Sequence, residues 1–247
     1  MRRGTCVTAM SIVAVFLVCC VCVFAGPARA DDDEETRAIL FSGRDIWRNG
    51  VFSHSGLLFA PGGIDNDGLL LKLMISGGVY RYSSDFVFGR TVIGVETAAQ
   101  VLPGWRIKRG DLELKFFFGL EFQKHRLWPD DASNILNGGT FGLRMAIDLW
   151  YQPTPNTMLA FDGSISSIAT SHAARAAVGE LVFDDQMYFG PEIAFFASTG
   201  YRHFRLGAHF TAMKTGSNVE WVAAGGWAQD SDRRSSPYVR LGLVKRM

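Results

Sequence analysis

QMYFGPEIAFFASTGYRHFRLGAHFTAM, residues 186–213, is the stretch that decides the fold. Taken in steps of two, it separates into two sets. One is Met187, Phe189, Pro191, Ile193 and Phe195, resuming after Ser198-Thr199-Gly200 as Phe204, Leu206, Ala208 and Phe210. The other is Tyr188, Gly190, Glu192 and Ala194, then Tyr201, His203, Arg205, Gly207 and His209. Successive side chains of a strand point to opposite faces, so the stretch predicts a hairpin with one apolar and one polar face. A short turn containing Gly joins its arms. In a soluble sandwich the apolar face would be the inner one. Two His, an Arg, a Glu and two Tyr on the opposite face suit the polar interior of a membrane barrel better.

Outward from this hairpin the same period of two recurs. Residues 112–126 set Leu114, Phe116, Phe118, Leu120 and Phe122 against Glu113, Lys115, Glu121, Gln123 and His125, broken only by Phe117. Residues 68–82 oppose Leu69, Leu71, Leu73 and Ile75 to Lys72, Ser76 and Tyr80. Further strands are predicted at 38–47, whose phase is ambiguous, and at 51–60, 141–152, 158–168, 218–227 and 238–245. A long strand from Phe86 to near Lys108 is expected to kink at Pro103-Gly104, because proline in a strand marks an edge or a bulge. Residues 171–181 show no distinct pattern. The count is about twelve, an even number as in bacterial barrels. The fold expected is therefore an all-β, antiparallel transmembrane β-barrel. Two connections read as long, 127–139 and 229–236, and both fall at the end expected to face outside. Asp65-Asn66-Asp67-Gly68 has part of a calcium-loop spacing, but Gly63 holds the leading position and no bidentate Glu follows, so it reads as a turn.

The N-terminus sets the compartment. Arg2 and Arg3 precede an apolar run ending at Phe24, and Ala28-Arg29-Ala30 offers a small-x-small cleavage site. Residues 1–30 therefore read as a secretory signal peptide, 31–36 as an acidic tail and 37–247 as the barrel. All four cysteines lie in the first segment, which leaves no disulfide, thiolate metal site or Cys nucleophile in the remainder. That segment also removes three basic residues and no acid, leaving 22 basic against 24 acidic, a formal charge of −2. Nothing in that balance points to nucleic acid. No run beyond residue 30 reaches the roughly 20 apolar residues of a spanning helix.

With those segments in view, the chain resembles the BcsS family of cellulose-biosynthesis proteins. The likeness is carried by Ser42-Gly43-Arg44-Asp45-Ile46-Trp47 with Gly56 and Pro61-Gly62-Gly63. Gly77-Gly78-Val79-Tyr80-Arg81-Tyr82, Tyr188-Phe189-Gly190-Pro191-Glu192, Tyr201-Arg202 and Arg205-Leu206-Gly207 extend it over nearly the whole mature chain. One difference is the end, Val244-Lys245-Arg246-Met247, which lacks a terminal aromatic residue. The resemblance implies an outer-membrane barrel in the production or export of extracellular cellulose, with no catalytic residues. It also implies as partners the outer-membrane lipid, cellulose or another glucan, and the cellulose-secretion machinery.

The polar set expected in the lumen is Glu96, Glu121, His125, Arg144, Asp148, Asp162, Tyr188, Glu192, Tyr201, His203, Arg205, His209 and Arg240. It either binds or passes a saccharide, with Tyr80, Tyr188, Tyr201 and Trp150 as stacking surfaces, or pairs across the interior and plugs it. Twelve strands lie between the eight that side chains fill and the sixteen or so that leave a channel. The rival functions are a general small-solute porin and an outer-membrane lipid-modifying hydrolase. For the hydrolase Ser171 and His172 are the best pair, yet adjacent strand residues point apart and no Gly-x-Ser-x-Gly or His-Glu-x-x-His motif occurs. His203 and His209 share a face but stand six residues, about 20 Å, apart along a strand, too far to share a metal. No metal or other cofactor is expected.

Overall fold

A computed structural model describes residues 36–87, 90–183, 186–215, 218–231 and 234–247. The expected signal peptide, 1–30, and the acidic residues 31–35 lie outside the described residues.

The described chain is nearly all strand. In order come β1 (Ala38–Trp47), β2 (Gly50–Phe59), β3 (Gly68–Ser84), β4 (Arg90–Arg109), β5 (Leu112–Trp128) and β6 (Gly138–Thr154). They are followed by β7 (Thr157–Ser166), β8 (Ser171–Val182), β9 (Met187–Ser198), β10 (Tyr201–Lys214), β11 (Val219–Asp230) and β12 (Ser235–Arg246). Each pairs antiparallel with its sequence neighbour, and β1 pairs with β12 from Ile39↔Arg246 to Trp47↔Tyr238. The sheet thus closes into a twelve-stranded barrel, which leaves no wall strand with an unpaired edge. The starts of β1 and the end of β12 share one end of the barrel, here the terminal end. The β1–β2, β5–β6 and β9–β10 connections lie at the other, the far end.

Three details depart from the sequence expectation. β4 runs unbroken through Pro103, but its ladder with β5 skips from Val101↔Leu120 to Gly104↔Phe117. Proline has no N–H to give, so it sits where that ladder is interrupted, while Leu71↔Pro103 keeps the β3 side in register. Residues 171–181 form most of a full strand, β8. Its alternation is illegible because alanines occupy both faces, Ala174 and Ala176 outside and Ala173 and Ala177 inside. Finally, the connection expected to be long at 229–236 spans only 231–234, since β11 and β12 reach further than their patterns suggest. The connection 60–67 at the terminal end is longer, so loop length does not separate the two ends. The loop after β5, residues 129–137, does remain long.

Side-chain parity is as the hairpin predicts. Phe118, Phe161 and Leu206 stand on the outer face, Leu206 with 57% of its surface exposed, while Glu121, Asp162 and Arg205 point inward. Phe117, the one break in the β5 alternation, explains itself. It turns inward and packs with Leu58, Ala60, Ile64, Leu70 and Leu102, an apolar floor across the terminal end on the β1–β6 side. Met158, Ala160, Ala177 and Tyr188 form a matching cluster on the other side.

Gly207 of β10 shows how closely the interior is packed. A Cβ there would lie 2.3 Å from the Gly225 carbonyl oxygen and 2.5 Å from the Tyr238 hydroxyl. Leu206→Arg should therefore cost about 2–4 kcal/mol when the chain is folded into lipid vesicles, the penalty for Arg near the middle of a lipid-facing wall. Gly207→Ala, one residue away on the other face, should also destabilise, by steric displacement and not by charge. Urea titrations of both variants by Trp fluorescence check this; a neutral Gly207→Ala would mean that the interior has room.

Candidate functional site: the filled interior

All thirteen residues expected in the lumen lie on the inner face. Many of them are engaged with one another. Above the apolar floor comes a layer of ion pairs. Lys72 of β3 reaches Asp148 of β6 at 3.2 Å. Glu121, 1% exposed, accepts from Arg144 at 2.8 Å and from Gln100 at 3.0 Å, and Arg144 also donates to the Ser164 hydroxyl at 2.7 Å. Asp148 and Asp162 sit directly opposite each other on β6 and β7, an arrangement that destabilises a sheet unless each acid has its own cation. Lys72 serves the first, and Arg175 serves the second through an Nε bond of 2.6 Å.

Glu192 is the hub of this layer. It is 3% exposed and receives Arg175 at 3.1 Å, the Tyr238 hydroxyl at 3.3 Å and Arg240. Removing a carboxylate from water is costly unless cations and hydrogen bonds replace the lost hydration; three donors from β8 and β12 do so here. Arg205 pairs with Asp45 at 2.6 Å, its guanidinium lying 4.7 Å from the Trp47 ring centre and 5.2 Å from that of Tyr238. The flat guanidinium suits such stacking. His209, with no exposed surface, contacts the Val178 carbonyl oxygen through Nε2 at 3.1 Å and the Thr211 hydroxyl through Nδ1 at 2.8 Å.

Toward the far end the layer becomes aromatic. Trp47, Phe52 and Tyr80 stack in sequence at centroid distances of 5.4 and 6.3 Å. His203 sits among Trp47, Phe196 and Tyr201 at 5.3 to 5.7 Å. Tyr80 also meets the His125 Nδ1 through its hydroxyl at 2.9 Å. These rings turn their faces to one another. Of the four residues expected as saccharide platforms, Tyr80 is engaged in this way. Tyr201 and His203 are in edge contact, and Trp150 packs edge-on against Tyr188 near the terminal end.

The loop 129–137 folds in at this end. Asp131 is buried, with 2% of its surface exposed, and accepts from the Tyr82 hydroxyl at 2.8 Å and from the Ser133 hydroxyl and amide. Asn134 donates to the same Tyr82 oxygen at 2.9 Å. The Ser133 hydroxyl, foremost, and the Tyr82 hydroxyl hold the Asp131 carboxyl below its ordinary range. At the terminal end Lys108 does the same for Asp65, and Arg109 for Asp67.

Several members of this interior escape a reading of the sequence. Asp45 lies in the strand whose phase is ambiguous, and Arg175 in the alanine-rich strand without a pattern. Gln100 immediately precedes the interrupted stretch of β4. The signal that finds Asp45 and Arg175 is stoichiometric: Arg205 and Asp162 each need a partner of opposite sign. Ser171 and His172, the best hydrolase pair, fall on opposite faces. The His172 ring lies on the outside, 5.7 Å from Phe195, while Ser171 pairs with Ser166 on the inner parity. Among the described residues no group of three or more His, Cys, Asp or Glu is placed to hold a metal.

Glu192→Gln should cost about 3–5 kcal/mol, because it leaves buried arginines without their shared counter-charge. Glu180→Gln, at an exposed site bonded to the Thr157 hydroxyl at 2.9 Å, should stay within about 0.5 kcal/mol. Urea titration in vesicles compares the two. The loop has a pH signature as well. Since the Asp131 pKa is lowered by folding, its contribution is complete above the usual carboxylate value, near pH 4, and fades as pH falls through the lower folded value. Hydrogen exchange in residues 129–137 should accelerate only in that acid window, and Asp131→Asn should accelerate it at neutral pH.

The comparisons agree with this architecture. A family model described as cellulose biosynthesis protein BcsS matches residues 39–247. No curated protein matches the chain. Among solved structures, the COG4313 outer membrane channel from Pseudomonas putida F1 is 10% identical, with 90% of this chain and 100% of that one covered and a TM-score of 0.53. The KdgM porin in complex with disordered oligogalacturonate is 11% identical over 85% of this chain and 99% of that one, with a TM-score of 0.48. The translocator domain of the autotransporter NalP from Neisseria meningitidis is 13% identical over 98% and 97%, also at 0.48. At 10% identity the likeness to the COG4313 outer membrane channel is one of fold alone.

Proposed function

The chain belongs to the cellulose biosynthesis protein BcsS family, and from that premise we propose that it is a non-enzymatic outer-membrane barrel that takes part in cellulose production as a closed element and not as the conduit of the glucan. The observation that carries this reading is the inner layer of paired charges. Glu121, held by Arg144, and Glu192, held by Arg175 and Arg240, have 1% and 3% of their surface exposed, so water hardly reaches them from either mouth. A glucan path would need those side chains to part, at the cost of separating buried ion pairs.

The outer face supports the placement in a membrane. Leu120, Phe118, Ile165 and Leu206 are each more than half exposed, and an apolar surface that continues around the wall is stable in lipid, not in water. In this reading the signal peptide directs export, the mature chain begins at Asp31, and lipid is its first partner. The secretion machinery for cellulose is the second. Ser171 and His172, divided between the two faces, cannot act on one bond, which speaks against the lipid hydrolase.

The chain should fractionate with the outer membrane and migrate differently in a gel before and after heating, as closed barrels resist detergent. Recovery in the soluble periplasm would overturn the placement. In planar bilayers the refolded protein should show no sustained single-channel conductance, with or without cello-oligosaccharides; a stable open level would refute the closed barrel. Deleting the protein should lower extracellular cellulose, scored by dye binding, without altering outer-membrane lipid, and Ser171→Ala with His172→Ala should leave cellulose output intact. Normal cellulose with altered lipid in the deletion strain would defeat the function proposed.

A further inference from the structure

One charge of the wall is out of place. Arg44 of β1 stands on the outer face, in parity with Ile46, which is 42% exposed. Its Nε donates to the hydroxyl of its cross-strand partner Ser53 at 3.1 Å. A guanidinium has five N–H donors, and among the described residues no carboxylate pairs with this one. On the same face Ser42 and Ser55 lie directly opposite each other, so the β1–β2 hairpin carries a polar stripe.

The pairing register fixes the height of that stripe. One residue per strand, the paired line runs from Thr157, beside a terminal-end turn, through Phe210 and Leu241 to Arg44. It then continues through Gly77 to Gly139, beside the far-end loop. Arg44 is the seventh of the twelve, which puts it at mid-height of the wall. Other charges on the outer face stand toward the rims, among them Glu180 and Lys245 at the terminal end and Arg81, Lys124, Arg126 and Arg202 at the far end.

A cation at mid-height facing hydrocarbon is among the costliest placements on a barrel, and acyl chains offer it no acceptor. Headgroup phosphates lie at the rims. A second copy of this chain would not help, because among the described residues no Asp or Glu stands on the outer face away from the rims. Self-association through this stripe would instead bring like charges together.

We propose that the outer face of the β1–β2 hairpin docks a membrane-embedded segment of a different protein, which presents an Asp or Glu carboxylate to Arg44. The inference rests on the membrane placement proposed above. The serine stripe supplies hydroxyls on both sides of the ion pair, and charge complementarity sets the register of the partner. Within lipid such a pair gives specificity, since an unmatched neighbour leaves the guanidinium without an acceptor.

A photo-crosslinking side chain at position 46, in cells making the full chain, tests this. One adduct with another protein is expected, at least tenfold weaker in Arg44→Leu and retained in Arg44→Lys. The crosslinked segment should contain an acid whose change to Lys restores the adduct to Arg44→Glu. An adduct indifferent to Arg44→Leu, a crosslink to a second copy, or label recovered only in lipid would overturn the proposal. In vesicles the purified Arg44→Leu chain should be at least as stable as the parent, with or without anionic phospholipid. A loss confined to anionic vesicles would assign Arg44 to a lipid phosphate and refute protein docking. Fractionation separates the two levels: an outer-membrane chain whose crosslink ignores Arg44 defeats the docking alone, whereas a soluble chain defeats the placement itself.

Discussion

Glu121 and Glu192 point into the barrel with 1% and 3% of their surface exposed, and the interior is organised by the need to give such charges partners in place of water. Each acid of the middle layer is met by a cation from another strand: Asp148 by Lys72, Glu121 by Arg144, Asp45 by Arg205. Glu192 and Arg175 extend the scheme into a chain that joins β7, β8, β9 and β12. Apolar burial gives the floor its stability, but it does not dictate which strand faces which. The paired charges do, because a slip of one residue would turn every one of them outward and every Phe and Leu of the outer face inward.

That arrangement also divides the molecule by task. On the inside, charges are paired across strands and several aromatic rings are in contact with each other. What is left to meet other molecules is the outer wall and the two rims. The wall is apolar except along the β1–β2 hairpin. The far rim is partly covered by the loop whose Asp131 and Asn134 grip Tyr82.

Much of this was legible in the sequence, and the exceptions share one cause. Alternation reveals a strand where one face is plainly polar and the other plainly greasy, as in β5, β9 and β10. It fails in β8, where alanine serves both faces, and in β1, where Arg44 stands outside and Asp45 inside. The ambiguous phase of β1 is thus itself a structural fact, the trace of a polar site on the wrong side. Connection lengths read poorly, because strands extend past their patterned cores into residues that look like loop. The thirteen polar residues read from the sequence as one set share the inner parity. The sequence could not tell a lining from a filling, since that depends on partners such as Arg175 and Gln100 contributed by the strands hardest to read.

The ladder between β1 and β12 joins residues about two hundred positions apart in the chain. The hairpins that make up the rest of the wall are local and can form early. The closing contact carries the largest loop-closure entropy of the fold and rewards the chain only at the end. Until β12 arrives, the sheet has two free edges, Asp45 of β1 is not yet matched with Arg205 of β10 across the seam, and Glu192 lacks the Arg240 that β12 brings. Order of assembly and electrostatic completion are therefore one event: the first strand waits, half-neutralised, for the last.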